Sequence, residues 1–339
     1  MFINTLLLQS YLFTKELVYL ERKSSKLKAP LVWHSLMVLV SWLIQCVLIL
    51  LSIAFFTLFE RKVIGLFHNR LGPNKVSFLG LLQPLLDAFK LLSKQNIVPL
   101  RSNKLAYNFS PQFALFLAYA VWFTLPIFYV TFSLNYSLAM FFCIGSIIVF
   151  AVLFAGWSSN SKYSLIGSLR SVAQSISYES VFSTLIVLMC LLLMSFRIRS
   201  SNQQSSFIFL VILPLWVICT LAETHRAPFD FSEAESELVS GFNTEYSGAY
   251  FAFIFLSEYG VLLYSCMLIT YLFFSFVAPL TPVFLVTISL FVSFVFIWIR
   301  ITFCRYRYDM LIMAAWKILL PVSLSLFLLF MPLFLYVIS

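Results

Sequence analysis

Apolar residues in this chain run in long blocks, broken by short polar stretches, rather than alternating as in half-buried strands. A bilayer core of about 30 Å takes about 20 apolar residues as helix. By that measure the pattern predicts eight spans, near 34–59, 110–132, 138–157, 167–196, 207–225, 249–276, 281–302 and 317–338. The expected fold class is an all-α integral membrane protein. The fourth block opens with polar residues, and that part is expected to project beyond the membrane. No internal repeat is visible, so an inverted-repeat transporter has no direct support.

Residues 1–33 precede the first span. Their first 14 positions are mostly apolar, but no charged n-region precedes them and no small-residue cleavage site follows, so no cleavable signal is evident. Lys15, Arg22, Lys23, Lys26 and Lys28 then form a basic stretch with Glu16 and Glu21. The segment reads as an interfacial or partly ordered extension, and 34–339 as a single multi-span domain.

The long loop 60–109 carries structure of its own. Val63, Ile64, Leu66, Phe67 and Leu71 alternate with Arg61, Lys62 and His68 at helical spacing. That pattern predicts an amphipathic helix along the membrane face, ended by Gly72-Pro73-Asn74. Gly80 to Lys94 is a second expected helix, with Asp87 and Lys90 three apart on one face.

Composition supports lipid as part of the solvent. Of 339 residues 62% are hydrophobic, 18% aromatic and 10% charged, against about 25% charged in soluble domains. The net charge of +9 would suggest a nucleic-acid partner in a soluble protein. Here the basic residues lie mostly between apolar blocks, where they orient the chain in a bilayer and exclude that reading. The loops 60–109, 157–166, 224–248 and 303–316, counted with Arg300 and Lys317 at the edges of the last, hold 14 Lys and Arg; the opposite loops, with the extension, hold 7. The first set is therefore expected on the positive, cytoplasm-derived side. The 39 Phe against 9 Gly fit an organellar, thymine-rich gene, which its base composition would test. Six Cys stand apart without a CxxC pair and read as small buried hydrophobes, not as a disulfide framework or cluster site.

Acids are rare, and their placement carries the candidate chemistry. Seven of the 13 fall within 36 positions: Glu223, Asp230, Glu233, Glu235, Glu237, Glu245 and Glu258. Pro228 disfavours helix at Ala227, so the fifth span should end near there. Ser232 followed by Glu235 forms a capping box for a short helix that Gly241 could close. On it Glu233 and Glu237 share a face. Crowded carboxylates repel, which favours a held proton, and such a string can pass protons through water. A solvated acidic loop is the plain alternative. Against it, Phe229, Phe231, Leu238, Val239 and Phe242 interleave with the acids, and Glu179 and Glu258 stand inside apolar blocks. An intramembrane acid costs roughly 2.5–3.5 kcal/mol, so it is usually paired or functional. Arg170, Gln174 and Tyr178 share a helix face; Arg170 lies about 13 Å along the helix from Glu179, too far for a direct pair.

Several sites are excluded. The three histidines, His34, His68 and His225, make neither HxxxH nor HExxH, so no metal or bis-haem site is expected. No GxxxxGK[ST] or GxGxxG occurs, so a nucleotide or flavin has no evident home. Any electrons must arrive from another subunit.

Several motifs closely resemble those of the subunit 1 family of respiratory NADH dehydrogenase (complex I). They are Glu60-Arg61-Lys62-Val63-Ile64-Gly65, Asn69-Arg70-Leu71-Gly72-Pro73-Asn74, Gly80-Leu81-Leu82-Gln83-Pro84 and Asp87-Ala88-Phe89-Lys90. The run ETHRAPFDFSEAESELVSGFNTEYSG from Glu223 resembles the most distinctive family signature, and Arg305-Tyr306-Arg307-Tyr308-Asp309 with Trp316-Lys317 its last loop. The resemblance covers roughly 40–339.

It implies a core membrane subunit of the proton-pumping NADH:ubiquinone oxidoreductase in the mitochondrial inner membrane. The loops 60–109 and 224–248 would wall part of the ubiquinone tunnel. Ubiquinone would be the substrate, while NADH, FMN and iron–sulfur clusters would sit in partner subunits. Those partners would be hydrophilic quinone-site subunits and antiporter-like membrane subunits, with lipids around them. Carried over by motif, Glu60, Arg61 and Arg70 would line or brace the quinone entrance, with Arg226, Phe229 and Arg305 as further quinone-binding residues. Asp87, Glu223, Asp230, Glu233, Glu235 and Glu237 would link quinone to proton movement, and Glu179 and Glu258 would continue that link into the membrane. Three positions depart from the family pattern: His225 for Asn, Gln95 for Glu and Met310 for Gln. His225 is expected to add a titrating group beside Glu223. An antiporter or a hydrogenase-type membrane subunit without a quinone site is the alternative. The antiporter predicts buried Lys or Asp in several spans, which is not seen. The quinone-loop match speaks against the hydrogenase type.

Overall fold

A computed structural model describes residues 31–125, 135–193, 195–198, 206–231, 238–274 and 282–338. Its helices are α1 (Leu31–Phe67), α2 (Gln83–Ser93), α3 (Lys104–Trp122), α4 (Ser137–Ser158), α5 (Lys162–Leu193), α6 (Ser206–Glu223), α7 (Gly248–Phe273), α8 (Pro282–Thr302), α9 (Tyr308–Ala314) and α10 (Leu320–Ile338). A π-helical turn, Ala315–Leu319, joins α9 to α10. Among the described residues there are no strands, and six helical segments are long and apolar enough to cross a membrane. Leu210–Glu223 of α6 is a shorter apolar stretch. Helix α3, which carries Asn108 and Pro111, lies at the expected second span but is not among those six.

The bundle is organised around α5 and α7. Helix α5 packs on α4, α6, α9 and α10, and α7 on α1, α2, α3, α6 and α8. Close approach depends on small residues, as expected where lipid provides no hydrophobic drive between helices. A Cβ at Gly260 of α7 would stand 3.3 Å from Ile53 of α1 and 3.7 Å from Ala118 of α3. The Gly260 carbonyl is also reached by Trp122 Nε1 at 3.1 Å. Trp122 and Phe141 are buried around Tyr264, whose hydroxyl lies 2.6 Å from Thr124 Oγ1.

The loops sort to two ends. Ile97 N donates to Ser247 Oγ (3.1 Å), Ala249 N to Asn96 Oδ1 (2.9 Å), Asn103 N to the Ser158 carbonyl (3.0 Å) and Tyr306 N to the Pro228 carbonyl (3.3 Å). The four loops of the set that holds most of the basic residues thus meet at one end. At the other, Leu138 N donates to the Phe196 carbonyl and Ile198 N to Ser137 Oγ.

Three expectations change. The chain from 60 to 67 is not a separate helix on the membrane face. It continues α1 without a break for 37 residues, about 55 Å, because no Gly-Pro or cap intervenes before Asn69 takes a left-handed φ of 52°. The helix expected from Gly80 resolves into a tight turn, Phe78–Gly80, and α2, which starts at Gln83-Pro84 with Pro in the first turn. The small polar residues that open α5 turn into the bundle, while Lys162 and Tyr163 beside them are exposed. Ser164, Ser168, Ser171, Gln174, Ser175 and Ser177 are buried. Their hydroxyls satisfy themselves on carbonyls three or four residues back, as Ser171 and Ser175 do at 2.8 and 2.9 Å. The small serines let neighbours press close. Of the cysteines, Cys190, Cys219 and Cys266 are buried, but Cys143 and Cys304 are exposed. Residues 1–30, nearly all of the expected N-terminal extension, and the capping box at Ser232 lie outside the described residues.

Candidate coupling site

The loop after α6 is seated by α5. Gln174 Nε2 donates to the Ala222 carbonyl (2.9 Å) and to the Phe229 carbonyl (2.8 Å), clasping the helix end to the loop. Gly167, two turns earlier, lies under the backbone of Gly241 and Phe242; a Cβ there would come within 2.9 Å of them. Gly241 and Val239 take left-handed φ of 62° and 67°. His225 does so too at 50°, where α6 ends and the chain turns. Helix α6 therefore stops at Glu223, four residues short of Ala227.

A cavity opens above this loop, between α3, α4, α5, α6 and α7. Glu179 from α5, Glu223 from α6 and Glu258 from α7 all line it. The space open to water centres is about 80 Å³, enough for several waters. Gly145 of α4 keeps it open, since a Cβ there would stand 3.1 Å from Glu223 Oε1. His225 lines the same wall, its Nε2 3.4 Å from Ser175 Oγ, while its Nδ1 is buried without a hydrogen-bond partner. Burial pushes the imidazole down to about 4. At neutral pH it is uncharged, so it does not serve as the titrating group expected from its sequence position.

The remaining candidate residues form a second cluster beside the cavity. Glu60 is buried and forms an ion pair with Arg300 of α8. Tyr259 of α7 donates to Glu60 Oε2 at 2.6 Å. The Arg226 guanidinium lies 4.2 Å over the Tyr259 ring and donates to its hydroxyl at 3.4 Å. Arg61 pairs with Asp87 at 2.7 Å, and Gln83 Nε2 donates to the same carboxylate at 3.0 Å. Asp87 thus faces Arg61 across the loop rather than Lys90 along its own helix. Arg305 pairs with Asp230 at 3.3 Å, and Phe229 stacks on Tyr306 at 6.0 Å.

The structure thus gathers Glu179, Glu223 and Glu258 at one cavity. Glu60 and Arg226 meet at Tyr259, Arg61 meets Asp87, and Arg305 meets Asp230. Arg70 is exposed on the turn after α1. Glu233, Glu235 and Glu237 lie outside the described residues. Sequence reasoning missed Tyr259, Arg300 and the role of Gln174. The shared face of Arg170, Gln174 and Tyr178 was the available signal: Arg170 sits 5.8 Å from the Tyr308 ring and Tyr178 6.0 Å from Phe229.

Comparison with known proteins gives the family of the chain. A family described as NADH dehydrogenase matches residues 40–331. The chain is 43% identical to NADH-ubiquinone oxidoreductase chain 1 of Anopheles gambiae, covering 91% of this chain and 99% of the relative. It is 45% identical to the protein of that name from Heterololigo bleekeri, covering 89% and 98%. The Tetraodon nigroviridis relative is 42% identical, covering 82% and 89%. From the loop motifs, the helical membrane fold and a family match over most of its length, the chain belongs to the NADH dehydrogenase family.

Proposed function

We propose that this chain is the membrane subunit of the mitochondrial inner-membrane NADH–ubiquinone oxidoreductase that borders the ubiquinone site and begins the path from quinone reduction to proton movement. The observation that carries this reading is the convergence of Glu179, Glu223 and Glu258, from three helices, on one cavity that Thr224 and His225 of the following loop also line. The same loop bears Arg226, Phe229 and Asp230, which belong to the second cluster. Electrons come from redox groups of partner subunits; this chain contributes the wall and the ionisable groups. Ubiquinone takes up protons as it is reduced, which changes the charge beside Glu60, Arg61, Arg70, Arg226 and Arg305. The loop transmits that change to the cavity acids, which re-equilibrate their protons. Buried acids that share water exchange protons readily, and each excess charge there is costly, so one charge change displaces another. Glu233, Glu235 and Glu237 would extend the acidic string, and antiporter-like partner subunits and lipids would flank the chain.

The test is Glu179→Gln in the intact complex, with assembly followed on native gels. The expected result is normal assembly with a sharp fall in both inhibitor-sensitive NADH–ubiquinone activity and proton pumping. Unchanged activities would make Glu179 a structural contact and overturn the coupling role.

A further inference from the structure

We propose that the buried hydroxyls of Ser158, Tyr246 and Ser110 form a proton-loading branch leading from the loop end of the bundle into the acidic cavity. The inference rests on the coupling role of that cavity and adds a route by which it is filled. Tyr246 Oη lies 3.0 Å from Ser110 Oγ and 3.2 Å from Ser158 Oγ. Either oxygen of each pair can be the donor, and the Ala155 carbonyl is a second acceptor at 3.2 Å for both Tyr246 and Ser158, so each hydroxyl turns from it to pass a proton along the row. Ser110 lines the cavity. All three are buried, with exposures of 1%, 0% and 5% for Ser110, Ser158 and Tyr246.

A hydroxyl donates one proton and accepts through its lone pairs. In a row of three, Ser158 can donate to Tyr246, Tyr246 to Ser110, and Ser110 to water in the cavity. One proton enters at Ser158 and one leaves at Ser110. Each oxygen ends with the single proton it began with, and no group is left charged. The phenol need not ionise, which matters because burial raises its pKa above the usual value.

The row is held by apparatus that a mere polar contact does not need. Tyr107 of α3 stacks on the Tyr246 ring at 4.4 Å with 7° between planes. Its own hydroxyl donates to the Glu245 carbonyl at 2.7 Å, fixing the backbone just before Tyr246. Tyr250 of α7 closes the layer against Tyr107. Tyr107, Glu245 and Tyr250 are the titratable neighbours from α3, the loop and α7. Towards the loop face, Ser161, Ser164 and Ser159 continue the hydroxyl chain at 2.6 and 2.5 Å, with Ser161 half-buried at the turn. Ser159 follows Ser158 in sequence, so this second hydroxyl run ends beside the entry to the row.

The experiment uses the intact complex in phosphatidylcholine vesicles, with Tyr246→Phe and Ser110→Ala, singly and together, beside Glu179→Gln. Tyr246→Phe keeps the ring and its stacking. The branch predicts a loss of pumping-linked turnover of about tenfold, within the range of a positioned proton-transfer group. The loss should deepen as loop-side pH rises, be partly restored by formate, a small proton carrier, and be no greater in the double variant. An impaired Tyr246→Phe that responds to neither pH nor formate marks a structural role and overturns the branch. So does an unaffected Tyr246→Phe beside an impaired Glu179→Gln, which leaves the coupling role standing. If Tyr246→Phe and Glu179→Gln are both without effect, the branch and the coupling role fall together.

Discussion

Tyr259 donates its hydroxyl proton to Glu60 across 199 residues of chain, at 2.6 Å. The residue before it, Glu258, lines the acidic cavity. Consecutive positions on α7 thus serve the two clusters, and a rotation of α7 that moves one moves the other. Tyr259→Phe removes one of the two groups bonded to the Glu60 carboxylate. A hydrogen bond to a charged group contributes about 1.5–3 kcal/mol. The expected outcome is a raised KM for short-chain ubiquinone together with fewer protons pumped per electron pair. Steady-state kinetics with pumping stoichiometry checks both; an unchanged stoichiometry would separate the clusters.

Gly145 is the second point of leverage. Its missing Cβ leaves 3.1 Å to Glu223 Oε1. Gly145→Ala asks the carboxylate to move by a few tenths of an ångström and should lower activity modestly. Gly145→Leu fills the space where water and the carboxylate meet and should abolish pumping while the helix, which gains propensity, still assembles. Activity per assembled complex reads the difference.

His225 makes a pH prediction whose sign follows from burial. Its folded pKa, about 4, lies below the ordinary value near 6.5, so the folded state binds the proton less readily than the unfolded one. The stability it contributes is present above pH 6.5 and is lost as pH falls towards 4. His225→Asn removes that loss. Thermal stability of the purified complex, compared between the two proteins, should therefore diverge below pH 6.5 in favour of the variant. Near pH 7.5 the two activity profiles should coincide in shape, because the imidazole is already neutral there.

Gln174→Ala withdraws two donors, at 2.8 and 2.9 Å, from buried carbonyls at the end of α6 and in the loop. Both carbonyls keep a backbone donor, His225 N at 3.3 Å and Phe231 N at 3.2 Å, so the loss is that of two hydrogen bonds, about 0.5–1.5 kcal/mol each. The loop 224–231 should exchange its amide hydrogens faster, with α5 itself unchanged, and ubiquinone reduction should fall. Hydrogen exchange resolved by peptide checks the first part; equal protection in both proteins would count against the clasp.

Much of this architecture was legible in the residues. Apolar blocks of span length appear as helices because length and composition are local properties. Glu179 and Glu258 stood out because an acid in an apolar block needs a reason. What escaped reading was long-range or depended on continuity. Nothing near Glu60 hints at Tyr259 or Arg300, since those partners lie 199 and 240 residues away and meet only when α1, α7 and α8 pack. Asp87 and Lys90 were correctly spaced for a helical pair, yet Arg61 wins the carboxylate because Gln83 and the fold of the loop present it there. The inward turn of the serines in α5 was not legible, because composition alone does not separate polar residues that face solvent from small ones that permit close packing. For His225 the residue type suggested titration, and burial decided against it.

The unbroken run of α1 ties the entrance cluster to the thickness of the surrounding lipid. A hydrocarbon layer of about 30 Å takes up little more than half of its roughly 55 Å length. A helix in a thinner or thicker bilayer adjusts by tilting. With no joint between Ile53 and Arg61, that tilt reaches Glu60 undiminished, so membrane composition acts on the Glu60–Tyr259–Arg226 geometry as a mechanical input in its own right.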